Sequence, residues 1–254
     1  LLAQSQTGYA ALLRLVSKSF LETDPGDPPH VTIADLQADS DGLICLSGGL
    51  RGPIGQPLLG GAGGKAESRL LDLTRSFPGR LYVELQRHGL EAEDQVEPGL
   101  IDLAYRHDLP LVATNDCLFK SAEDYAAHDA LLCIADSAYI DQAERRRETP
   151  EHRFKSAEEM QALFADLPEA VDNTLAIARR CAFLLKPIDP ILPPFPTGDG
   201  RDEAAELRVQ AEAGLTARLD FEAKLQNIQP DSLEDWKKQY WDRLGVELDI
   251  IEQM

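Results

Sequence analysis

His88 and Asp116 are the residues of this sequence whose types and positions best suit chemistry. His88 stands two residues after the run Arg80–Gln86 (RLYVELQ), and Asp116 directly follows Leu109–Asn115 (LPLVATN). Both runs read as strands. In parallel α/β folds the C-terminal ends of the strands form the functional rim, so both residues are expected on one rim. A neutral imidazole and a carboxylate there suit a divalent cation of the zinc or manganese type. Two ligands alone do not hold a metal tightly, and the plainer reading makes Asp116 a loop cap and His88 a surface histidine. His128 lies in register with Tyr125 and Leu131 and reads as a packed, hydrogen-bonded histidine. His30, His107 and His152 sit in polar surroundings and carry no signal. Gly48, Gly49, Gly52 and Gly55 could cradle a phosphate. A flexible turn is the better reading, because no Lys or Ser/Thr stands at the needed spacing. The chain contains no P-loop, GxGxxG, HExxH or GxSxG motif.

The elements that must position these residues alternate between strand and helix. Thr7 can cap a helix carrying Tyr9, Leu12, Leu13, Leu15, Val16 and Phe20 at spacings of three and four. Asp24–Pro29 is a loop. Gly42–Ser47 is almost wholly apolar and reads as a strand buried on both faces. Gly48–Gly64 reads as loop, Lys65–Ser76 as helix and Val96–Tyr105 as helix, and Ser121 caps a helix running to about Ala135. This alternation with short connections predicts an α/β domain with parallel strands, as a barrel or an open sheet. The run Glu144–Glu148 (ERRRE) reads as a solvated turn. Ser156 and Glu159 form a capping box, with helices following at 157–165 and 168–184. The prolines of Pro187–Pro196 impose an extended segment. Beyond Gly200 the chain is helical, and Trp236, Tyr240, Trp241, Leu244, Leu248 and Ile251 make a stripe that reads as a core face.

The composition sets the class. Of 254 residues, 43% are hydrophobic and 27% charged, so a sizeable core can form. The 25 basic and 44 acidic residues leave a net charge of −19. That field repels phosphate and excludes a free-standing, non-specific binder of nucleic acid or membrane surfaces. No apolar run approaches the ~20 residues of a membrane span, and no secretory signal pattern opens the chain. Leu1 in place of Met suggests a fragment or a processed chain. Four scattered cysteines without a CxxC pair fit a reduced, cytoplasmic protein, with Cys45, Cys133 and Cys181 as buried thiols.

Seven motifs carry a family resemblance: LLAQSQTGYAALLRLVSKSF, GLICLSGG, YVELQRHG, ATNDCLFKSAEDYAAHDALLCI, SAEEMQALFADLPEAVDNTLAIARRC, PPFPTGD and LDIIEQM. In this order they resemble the alpha subunits of bacterial replicative DNA polymerase III along nearly the whole chain. The resemblance implies a partial PHP (β/α)-barrel-like domain over residues 1–195 and a helical lead-in to the polymerase palm over 196–254. It also implies a fragment. The family's HxH and TDHG motifs would precede Leu1, and the palm carboxylates that hold two metal ions would follow Met254. The fragment alone is then not expected to polymerise DNA and holds no catalytic residue of its own.

Where the PHP metal site is intact in that family, a Cys follows the LSG run, a His lies in xHG, and an Asp and a His lie in TNDxH. Here the matching positions are Gly49, His88, Asp116 and Leu118. His88 and Asp116 are therefore expected as remnants of a degenerate site. Cys117, next to the lost position, would point elsewhere on an extended backbone. No cofactor is expected on the fragment. Mg2+ belongs to the palm of the full polymerase, and zinc or manganese to PHP only if the site still works. The implied role is a non-catalytic scaffold that supports the palm and docks the proofreading exonuclease subunit. The full-length protein would meet the sliding clamp, other replisome subunits and DNA through other regions, and no membrane. Two competing readings are a working metal-dependent phosphoesterase that proofreads in cis, and a free-standing binding module of shared ancestry.

Overall fold

The computed structural model describes residues 1–198 and 200–253. Asp199, which ends PPFPTGD, and Met254, which ends LDIIEQM, lie outside the described residues. The chain divides into two compact units, Leu1–Lys186 and Pro187–Met254.

The first unit is built on a four-stranded sheet in the order β1 (Leu2–Ala3), β2 (Leu43–Leu46), β3 (Leu81–Leu85), β4 (Leu111–Ala113). The pairs β2–β3 and β3–β4 are parallel, whereas β1 runs antiparallel to β2. Alternation along each strand sends side chains to two faces. Leu43, Cys45, Leu81, Val83, Leu85, Leu111 and Ala113 join the main core. Ile44, Tyr82 and Val112 form a smaller core on the other face. Burial on both faces is why these strands read as continuous apolar runs.

The main core is closed by α1 (Gln6–Leu21), α4 (Gly63–Ser76) and α5 (Glu91–Arg106) through Leu15, Leu70, Leu73, Val96 and Leu100. The smaller core is closed by Ile177 of α8 (Pro168–Arg180). The remaining helices of this unit are α2 (Ile33–Ala38), α3 (Gly55–Leu59), α6 (Tyr125–Asp136) and α7 (Ala157–Leu163). This is the expected α/β class, followed by a helical segment.

Several local expectations shift. Ser5 caps α1 by accepting a hydrogen bond from the Gly8 N–H at 3.2 Å, and Thr7 lies inside the helix. A Cβ on Gly8 would sit 1.9 Å from the Gly42 carbonyl oxygen, so the backbones of α1 and the β2 approach touch directly. The glycine stretch is not all loop, since it carries a 3-10 turn at Gly49–Arg51, then α3 and the start of α4. Ser121 and Asp124 form a capping box around a 3-10 turn at Ala122–Asp124, and α6 begins at Tyr125. The Ser156–Glu159 capping box is present at the start of α7. Cys45 and Cys133 are buried, Cys181 is half-buried and Cys117 is exposed.

The second unit starts with an extended proline-rich stretch and continues into α9 (Glu203–Leu225) and α10 (Pro230–Glu252). The two helices are joined by ion pairs of Arg208 with Asp249 and Glu252, and of Lys237 with Asp220. The aromatic stripe is only partly a core face here. Leu248 is buried, whereas Tyr240 and Ile251 are exposed. No helix among the described residues is long and apolar enough to cross a membrane.

Candidate functional site

The exits of β3 and β4 bring His88 and Asp116 together, but through the backbone. The Asp116 N–H donates to His88 Nε2 at 3.1 Å. On the other side of the ring, Nδ1 lies 2.7 Å from Glu93 Oε1, and the His88 backbone N–H donates to Glu93 Oε2 at 2.6 Å. An accepting Nε2 and a donating Nδ1–H describe one neutral tautomer. His88 is no surface histidine, because only 2% of it is exposed. Glu93 comes from the first turn of α5, where the helix dipole favours a carboxylate. Burial works against its charge, yet the two His88 hydrogen bonds outweigh that and hold the carboxyl below its usual range.

His152 is the residue that sequence reading missed. It is also 2% exposed, and its ring stacks on His88 with centroids 4.0 Å apart and planes 12° apart. Its Nε2 lies 3.3 Å from Glu148 Oε2, and its Nδ1 accepts from the Thr149 N–H at 3.2 Å. The Thr149 hydroxyl donates to the His88 carbonyl at 2.7 Å and locks the two segments together. Burial and the neighbouring His88 ring push the His152 pKa below the ordinary histidine value. The signal in the sequence is faint, a Thr149 three residues before a His on a 3-10 turn, and the partner lies 61 residues from Thr149.

The neighbouring positions are also committed. Glu84 of β3 accepts from the Gly48 N–H at 2.9 Å and from the Thr114 hydroxyl at 2.6 Å, joining the exits of β2 and β4. The glycine turn is tightly specified rather than flexible. Its Gly52 would place a Cβ 1.9 Å from the Ser47 carbonyl oxygen, and the Gly48 N–H is already bonded. A Cβ on Gly49, which has φ +52°, would meet Gln86 Oε1 at 2.7 Å. Leu118 is exposed, and its backbone N–H donates to the His152 carbonyl at 2.8 Å. Cys117 is turned to its neighbour, with Asn115 Nδ2 donating to Sγ at 3.1 Å.

Two other sequence readings change. His128 packs against Phe119, with centroids 5.3 Å apart, but its buried Nδ1 has no hydrogen-bond partner among the described residues. The ERRRE turn is not simply solvated, since Arg145 is inserted and grips Asp129 with both terminal nitrogens at 2.6 Å. His30 is exposed, and His107 Nε2 lies 2.8 Å from Glu67 Oε1.

Residues 1–88 match the PHP domain family. Over all 254 residues the chain is 52% identical to DNA polymerase III subunit alpha of Caulobacter vibrioides, covering 21% of that protein. It is 39% identical to the subunit of Rickettsia bellii over 99% of this chain, again covering 21% of the relative. Identity to the subunit of Haemophilus influenzae is 38%, over the whole chain and 22% of the relative. The chain is homologous to one segment of DNA polymerase III subunit alpha. It spans about one fifth of the length of these subunits.

The resemblance implies a metal site at these positions, and the side chains present there do not fit one. Both His88 ring nitrogens are bonded within the protein, and Asp116 approaches through its N–H. Gly49 and Leu118 offer no donor side chain. Among the described residues, no group of three or more His, Cys, Asp or Glu side chains is placed to hold a metal.

Proposed function

We propose that this chain is a non-catalytic PHP scaffold within a DNA polymerase III alpha subunit, the enzyme of DNA-templated DNA synthesis in bacterial chromosome replication. In this reading it supports the palm and docks the proofreading exonuclease subunit. Nucleotidyl transfer with Mg2+ occurs at palm carboxylates outside this segment. The sliding clamp, the other replisome subunits and DNA are met by those outside regions, in the cytoplasm. His88 and Asp116 are then remnants of a metal site that has become structural. The observation that carries this reading is the saturation of the His88 ring by Glu93 on one nitrogen and the Asp116 N–H on the other.

Metal analysis of the full-length polymerase is the test. After incubation with zinc or manganese and dialysis, the PHP segment should retain no stoichiometric ion. Without the proofreading subunit, the protein should release no nucleotides from a primer end. One tightly held ion per chain, with nuclease activity lost in His88→Ala, would replace the scaffold with a phosphoesterase that proofreads in cis.

A further inference from the structure

We draw no further inference here: the strongest candidate, the cavity at the β4 exit between α7 and α8 where Asn115 links Cys117 to the buried Lys155, rests on a lone cysteine, because Lys155 is already held by Asn115 and Glu151 and nothing in the structure shows what covers the opening.

Discussion

Two regions of the first unit break the usual rule of burial in opposite directions. At the β3 exit, polar side chains are buried: His88, His152 and Glu93 are all shielded from solvent. At α6, apolar side chains are exposed: Leu131, Ile134, Tyr139 and Ile140. The first region satisfies its polar atoms internally, through Glu93, Thr149 and the Asp116 N–H. The second ties its polar frame together internally and leaves its apolar atoms uncovered. A closed polar network fixes structure, whereas an open apolar face asks for a partner. The contrast sets a closed polar network beside an uncovered apolar face within the first unit.

The contrast can be broken by mutation, and the largest effect is expected under the β3 exit. Phe164 is fully buried, and Arg87 lies over its ring at 4.5 Å. Phe164→Ala should cost about 3–5 kcal/mol in urea unfolding through the cavity it leaves. Glu93→Ala strands the His88 N–H and its ring donor and should cost about 2–4 kcal/mol. A loss under about 1 kcal/mol would mean that the polar network is not a fixed unit. Glu93→Gln keeps one acceptor and should fall between Glu93→Ala and wild type.

At α6 the expected responses are smaller. Arg145 holds the Asp129 carboxyl below its ordinary pKa, chiefly through their hydrogen bonds. A depressed folded pKa contributes stability that is present above the unfolded value and lost as pH falls through the folded one. Wild-type thermal stability should therefore fall below about pH 4, and Asp129→Asn should flatten part of that slope while lowering the plateau at neutral pH. Leu131→Asp and Ile134→Asp should each stay within about 0.5 kcal/mol of wild type, as exposed substitutions do. A loss of several kcal/mol would show that this face is buried within the chain. The smallest effect is expected for metal. A site filled at a hundred times its Kd would add about 2.7 kcal/mol, whereas zinc or manganese should leave the thermal midpoint of the chain unchanged.

The fold is most legible in the sequence where burial has a local pattern. The runs around β2, β3 and β4 are apolar on both faces, so their existence and exits can be read directly, although β4 with its 3 residues is less than half of the run Leu109–Asn115. His88 and Asp116 fall on one rim for that reason. The atom that makes their contact cannot be read, because a backbone N–H leaves no mark in the sequence. His152 carries no signal in the sequence because its neighbours Glu151 and Arg153 make its surroundings polar, and its burial depends on a distant ring. Glu93 resembles any acidic residue in a first helical turn. The arginines of ERRRE read as solvated because their acceptors, Asp129 and Asp136, lie in the preceding helix, where nothing local marks the polar face as inward.

The clamp between the Thr149 hydroxyl and the His88 carbonyl spans 61 residues, and the one between Arg87 and Asp166 spans 79. Loop closure over such lengths is an entropic cost met late in folding, after nearer pairings exist. The parallel strands should therefore assemble before the rim is sealed. Amide hydrogens of Val83 and Leu85 should acquire protection in a refolding pulse ahead of that of Leu118, whose acceptor arrives with His152. Weakening the seal would then speed unfolding while leaving the refolding rate almost unaltered.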